Sequence, residues 1–291
     1  MYSYRLTKRG KLVLFTFLTI LISSFSLKGI SFASDDNVEI IKDNISKREN
    51  VDNDFEIVFL RNEIQKLRKE SKQLYLEKTK VNQDYNTIKF EDIGTYEKKV
   101  AFLTFDDGPS HNVTPLILTI LDEYNVKATF FVLGNMIEKN GDVLKDINDR
   151  GHSIGIHSYS HESDKLLISK ESFINEIRRS EEVIKQNLGE NFSTRLFRFP
   201  GGSFEDNKIQ YINDLYEAGY INVDWNALTA DAEYRNPEPK KLMDTLKYTT
   251  RNKDKIIVLM HDATSKAITA EILPDVIEFL RAEGYEFALL K

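Results

Sequence analysis

Two adjacent carboxylates, Asp106 and Asp107, end the apolar run that starts at Val100, and Gly108, Pro109 and Ser110 follow them. Like charges this close repel unless something positive sits beside them, so one carboxylate suits a bound cation and the other a base. A solvated Asp-Asp-Gly-Pro turn is the competing reading. Further along, His157 and His161 bracket Ser-Tyr-Ser. Histidines four apart share one face of a helical turn and can converge on a metal. Set against Asp107, they complete a two-histidine, one-carboxylate face that leaves positions open for water and substrate, as a catalytic metal needs. Arg198 begins Arg-Phe-Pro-Gly-Gly-Ser. Its guanidinium can fork onto a carboxylate and hold it ionised, and the glycines let backbone N–H groups approach a ligand closely. Asp224-Trp225 and Asp231 come next, then His261 within Leu-Met-His-Asp. Such a histidine can donate a proton once a carboxylate orients it. Of the other histidines, His152 reads as a loop or core residue and His111 is given no role.

These groups need elements to position them. Runs rich in β-branched and aromatic residues lie at 100–105, 128–133, 153–157, 196–199, 221–225, 256–260 and 285–289. Helical periods separate them at 113–124, 136–150, 170–188, 207–218, 240–252 and 270–282, several closed by glycine, as at Gly151, Gly189, Gly219 and Gly284. Strict alternation predicts an α/β fold with a parallel sheet and crossover helices. Seven strands fit a (β/α) barrel slightly smaller than the eight-stranded one, with an open doubly wound sheet as the alternative. Both architectures put chemistry just past the C-terminal ends of strands, where the polar groups above fall.

The rest of the chain bounds the setting. Among 291 residues, 41% are hydrophobic, 30% are charged and none is cysteine. That excludes a disulfide framework, a thiolate zinc site, an iron–sulfur cluster and a cysteine nucleophile. Residues 1–33 carry five cations and no acid, so the remainder has 46 acids against 35 bases. A nucleic-acid partner needs a basic face and is not expected. Four cations precede the apolar run Leu12–Leu27, and Ser31-Phe32-Ala33 follows Lys28. This spells a signal peptide or, if uncleaved, a membrane anchor, with the rest of the chain outside the cytoplasmic membrane, secreted or anchored to its outer face. Residues 34–96 form a charged tether and a helical stalk. Ile57, Leu60, Ile64, Leu67, Leu74 and Val81 make a narrow seam that could serve a dimerising coiled coil or simply pack as a solvated helix.

Taken in order, Thr-Phe-Asp-Asp-Gly-Pro-Ser, His-Ser-Tyr-Ser-His, Arg-Phe-Pro-Gly-Gly, Asp-Trp with Asp231, and Leu-Met-His-Asp resemble the five motifs of the polysaccharide deacetylases. These are the enzymes of carbohydrate esterase family 4, built on the NodB homology domain. The resemblance spans about residues 97–291 and implies a deformed (β/α) barrel that removes N-acetyl groups from N-acetylglucosamine-type polymers. It also implies a divalent metal, usually zinc, with cobalt, nickel or manganese as alternatives. Carried over by position, Asp106 matches the general base and Asp107, His157 and His161 the metal ligands. Arg198 matches the arginine that positions the base, Asp231 the partner of the catalytic histidine, and His261 that general acid. Pro200, Gly201, Trp225 and Leu259 match substrate-side positions, the last two at the acetyl pocket. Three positions depart from the pattern: Gly201 stands where tyrosine is frequent, Ala232 where tryptophan is, and Ile156 where asparagine is. None removes a ligand or a proton-transfer group, so they bear on the substrate rather than the reaction. Peptidoglycan is the expected substrate. Poly-N-acetylglucosamine, chitin oligomers, acetylated xylan, a catalytically silent carbohydrate-binding domain and an iron oxygenase sharing the ligand trio are the alternatives.

Overall fold

The strand β2, Val100–Asp106, is buried at every residue, as befits a parallel strand covered on both faces. A computed structural model describes residues 87–291 of the chain. The expected signal or anchor segment and the seam of residues 57–81, with its dimer, lie outside the described residues. Around β2 stand β3 (Thr129–Val132), β4 (Ser153–Ile156), β5 (Leu196–Phe197), β6 (Ile221–Asn222), β7 (Ala227–Leu228) and β8 (Lys255–His261). Their hydrogen-bonded order is β6-β5-β4-β3-β2-β8-β7. All of these pairings are parallel. The two edge strands, β6 and β7, are neighbours in sequence, and the curled sheet has its seam between them. This is the (β/α) barrel that the alternation of strands and helices favours over an open sheet, in the deformed form that the family resemblance implies.

One strand differs from expectation. The stretch 285–289 splits into β9 (Glu286–Phe287), which pairs with the start of β2, and β10 (Leu289–Leu290), which pairs with β1 (Thr87–Ile88). The seventh place in the barrel goes instead to Ala227–Leu228, two residues too short to show a period. Residues ahead of 97 also join this unit, since Phe90, Ile93 and Tyr96 pack against the inner core cluster.

Alternation along β2 divides the core. Ala101, Leu103 and Phe105 face the large cluster under the helices, whereas Val100 and Phe102 face a smaller one inside the barrel with Phe131, Leu196, Ile221 and Val223. Thr104 and Asp106 continue that inner face. The helices are α1 (Thr114–Tyr124), α2 (Gly134–Ile137), α3 (Gly141–Asp149), α4 (Ser163–Leu166), α5 (Lys170–Leu188), α6 (Ile209–Glu217), α7 (Pro239–Thr249) and α8 (Ala267–Ala282). α5 shows why they form. The Ser169 hydroxyl caps the Ser172 N–H, Phe173, Ile174, Ile177, Val183 and Ile184 line the buried face, and Gly189 at φ 96° ends it. Each fully buried large apolar side chain contributes about 1.5–3 kcal/mol, which lets the barrel mouth hold buried charge. Among the described residues no helix is long and apolar enough to cross a membrane.

Candidate active site

The parallel register of β2 and β8 sets Asp106 directly beside His261, and both strands end there. Asp106 points inward with Thr104, and one guanidinium nitrogen reaches both. Arg198 Nη1 donates to Asp106 Oδ1 at 2.7 Å and to Thr104 Oγ1 at 2.8 Å, while Nε donates to the Val223 carbonyl at 2.8 Å. The guanidinium is fully buried and lies 4.1 Å over the Phe131 ring and 5.7 Å from the Trp225 ring centre. Burial pushes the Asp106 carboxyl above the usual carboxylate range, opposed by the charge and hydrogen bond of Arg198. The result is a carboxylate more basic than a surface aspartate and fixed in orientation.

Asp107 follows at φ 75°, a left-handed conformation, and both carboxylates approach His157 Nε2, Asp106 Oδ2 at 3.8 Å. Asp107 Oδ1 lies 3.5 Å from His157 Nε2 and 3.3 Å from His161 Nε2. That oxygen is buried and accepts no hydrogen bond. A buried carboxylate oxygen without a donor is costly, so the cluster lacks a positive partner that a cation would supply. The three ligand atoms lie within 4.8 Å of one another. His157 Nδ1 sits 2.9 Å from the Arg198 carbonyl, and a carbonyl only accepts, so Nδ1 carries the proton and Nε2 keeps its lone pair. Burial also lowers the His157 pKa to about 3, against the nearby Asp107 charge, so the imidazole is neutral as a ligand must be. Two imidazoles and one carboxylate in this arrangement fit a divalent metal.

The expected helical turn is absent. His157 and His161 lie on a loop in which Ser158 has φ 78° and His161 φ 60°. Glu176 on α5 holds that loop, its Oε2 accepting from the backbone N–H of Tyr159 at 3.1 Å and of Ser160 at 2.9 Å, and from the Ser160 hydroxyl at 2.9 Å. Arg179, one turn on, donates to the Tyr159 hydroxyl at 2.6 Å and covers its ring.

Across the mouth, His261 Nδ1 meets Asp231 Oδ1 at 2.8 Å, and the His261 backbone N–H donates to Asp231 Oδ2, also at 2.8 Å. Thr269 Oγ1 donates to the same Oδ2 at 2.6 Å and Lys266 Nζ to the Asp231 carbonyl at 3.0 Å. Burial alone would lower the His261 pKa, but the Asp231 hydrogen bond and charge, aided by Asp106 and Asp107, raise it to about 9. Asp231 is lowered despite its burial, because His261 and Thr269 donate to it. At neutral pH this is an imidazolium aimed by a carboxylate.

The residues expected on the substrate side take these places. Pro200 is buried, Gly201 is exposed at φ 71°, Trp225 is half-buried in the link between β6 and β7, and Leu259 is buried on β8 beside Thr104 and Leu228. His152 proves structural, its Nδ1 accepting from the Ala128 N–H at 3.1 Å. Four groups to which the sequence alone gives no role also shape the site: Thr104 and Asp262, which lie within the motifs, and Glu176 and Lys208, which lie outside them. Lys208 is buried and donates to the carbonyls of Pro200 at 3.1 Å and Gly202 at 2.7 Å. Asp262 is buried beneath the Asp107-Gly108 turn, accepts from Thr114 Oγ1 at 2.6 Å and is pushed up to about 7 by burial and by the charges of Asp107 and Asp106. A Cβ on Gly108 would fall 2.1 Å from Asp262 Oδ2, so only glycine fits there.

Comparison with known proteins agrees with this geometry. A family profile described as polysaccharide deacetylase matches residues 93–219. A peptidoglycan-N-acetylglucosamine deacetylase of Bacillus cereus is 32% identical over 194 residues, covering 66% of this chain and 69% of its own. PgdA of Listeria monocytogenes, a peptidoglycan-N-acetylglucosamine deacetylase, is 35% identical over 193 residues, 66% of this chain and 38% of that one. A solved CE4 esterase of Streptococcus mutans superposes with a TM-score of 0.66 at 33% identity, covering 71% of this chain and 92% of that chain. With motifs, fold and relatives in agreement, the chain belongs to the polysaccharide deacetylases of carbohydrate esterase family 4, hydrolases that act on amide bonds.

Proposed function

We propose that this protein removes the N-acetyl group from N-acetylglucosamine residues of a cell-surface polysaccharide, with peptidoglycan the substrate, and that it acts outside the cytoplasmic membrane. The observation that carries this reading is the convergence of a basic buried carboxylate, a ligand trio and a carboxylate-aimed imidazolium at one barrel mouth. The outward topology expected from the N-terminal segment and the names of the relatives favour a wall polymer.

Asp107, His157 and His161 would hold the metal, zinc by the chemistry of its donors; when bound, it supplies Lewis-acid polarisation of the acetyl carbonyl and a more acidic water. Asp106, anchored by Arg198, takes a proton from the attacking water as its oxygen bonds to the acetyl carbon. The oxygen of the tetrahedral species, which becomes negative, needs a donor, and the backbone N–H near Gly201 serves, a contribution of roughly 3–4 kcal/mol for a good donor. His261 delivers its Nε2 proton to the departing nitrogen, the C–N bond breaks, and acetate and a free amine result. Trp225 and Leu259 flank the acetyl methyl.

The test is acetate release by the full chain from purified peptidoglycan and from chitooligosaccharides. Release from peptidoglycan that disappears with a chelator and returns with zinc is the expected result. Release from the oligosaccharides alone would move the substrate to another polymer, and release from neither would overturn the reading. Glu176 gives a separate check, since it fixes the loop bearing both histidines without touching the substrate. Glu176→Ala should weaken zinc affinity about 10–100-fold in competition with a chromophoric chelator. An unchanged affinity would show that the loop holds its shape unaided.

A further inference from the structure

Phe204 is 63% exposed in the loop after Arg198-Phe199-Pro200, and its ring stands edge-on to Trp225 at 5.2 Å and 82°. A single exposed aromatic is ordinary on a protein surface. This one differs because the loop is built to hold it. Gly202 sits at φ 77°, and a Cβ there would fall 2.5 Å from the Phe204 ring and 2.9 Å from the indole, so glycine lets the two rings close up. The Ser203 N–H donates to Asp224 Oδ1 at 3.0 Å and its hydroxyl to Oδ2. Asn222 Nδ2 donates to Asp224 Oδ2 at 3.0 Å and to Ser203 Oγ at 2.8 Å. The buried Lys208 ammonium ties down the carbonyls on either side of Gly201. These bonds fix the backbone that leads to Phe204, and the ring itself, which buries little of its surface, rests edge-on against Trp225. Trp225 in turn lies 5.7 Å from the Arg198 guanidinium that anchors Asp106, so the exposed ring is one residue removed from the reacting end of the site.

We propose that Phe204, backed by Trp225, is a sugar-stacking platform that binds a pyranose next to the one being deacetylated and so makes the site prefer polymers. The proposal rests on the deacetylase reading and names the feature that selects its substrate. A β-linked glucosamine ring carries its substituents equatorially, so each face presents axial C–H bonds, an apolar patch that matches a flat aromatic face. A preorganised ring loses little entropy when the sugar arrives. With Gly201 supplying no side chain to the groove, Phe204 is the aromatic this loop offers instead.

Trp225 is the only tryptophan of the chain, so its emission reports on this platform without any turnover. Titration of chitotetraose into the full-length protein should change that emission saturably. Phe204→Ala should raise the dissociation constant and the KM for the oligomer about tenfold, and Phe204→Tyr should restore both. Phe204→Leu, which keeps bulk but loses the flat face, should behave like alanine. Tyr248→Ala, an exposed aromatic at the end of α7, the helix that leads into the start of β8 rather than its His261 end, is the control and should leave both constants unchanged. Equal constants for wild type and Phe204→Ala, with the thermal midpoint unchanged, would overturn the platform. Saturable emission change that depends on Phe204, without acetate release from any substrate, would uphold the platform and overturn the deacetylase reading.

Discussion

Asp106→Asn should lower kcat about 10²–10⁴-fold while the protein still takes up one divalent ion. The substitution is nearly isosteric. Its amide oxygen can still accept from Arg198 Nη1, which now spans 2.7 Å to the carboxylate, so the guanidinium keeps an acceptor although it loses its counter-charge. Asp107, His157 and His161 are untouched, so zinc content measured on the purified variant should match wild type. What disappears is the proton acceptor. The pH profile carries the sign: the base works ionised, and burial raises its pKa against the pull of Arg198 and His261. Wild-type kcat/KM should therefore fall on the acid side, through a pKa above the usual carboxylate range, and the variant's residual rate should lack that limb. A loss smaller than tenfold would remove Asp106 from the role of base.

Asp106, Asp107, His157, Arg198 and His261 were readable because each sits where an apolar strand stops. Val100–Phe105 and Ile256–Met260 are unmistakably buried runs, and the polar groups that end them have only the barrel mouth to occupy. Local pattern misleads where side chains compete with the backbone. The helix expected at 136–150 breaks in two at Asn140, whose side-chain amide donates to the carbonyls of Pro109 at 2.8 Å and Met136 at 3.0 Å. The histidine pair converges through a left-handed loop rather than a helical turn, and the carboxylate that shapes it, Glu176, reads in sequence as one more charge on a solvated face. β1 and β7 are two residues each, and their existence depends on partners far away in the chain, which no local period reports. Lys208 and Asp262 are hidden for the same reason, since a lysine and an aspartate next to helices and turns are ordinarily solvated. Their burial follows only from the loops that close over them.

Asp231→Asn should lower kcat about 10²–10³-fold and move a titration that can be read without substrate. In the wild-type protein free of metal, the His261 imidazole should titrate at about 9 by NMR, because the Asp231 hydrogen bond and charge outweigh the burial that alone would lower it. With asparagine in place, the burial stays and the strongest raising influence goes. The histidine should then titrate at or below the ordinary imidazole value. As general acid His261 must be protonated, so wild-type activity should fall as pH rises through its pKa, and the variant should lose activity from a lower pH upward. A cation held by Asp107, His157 and His161 lowers both curves by its charge, and the separation between wild type and variant survives. Asparagine keeps one oxygen to accept from Nδ1, but its amide nitrogen takes the place of Oδ2 opposite the His261 N–H and the Thr269 hydroxyl, so a fall in rate reports lost charge only where the thermal midpoint is unchanged. Thr269→Val leaves the carboxylate in place but removes one donor to it, which makes Asp231 a slightly stronger base toward His261. That variant should raise the His261 pKa, a displacement opposite in sign to Asp231→Asn. A general packing defect at this corner would move both variants the same way, so opposite displacements would identify the Asp231 charge as the control on the acid.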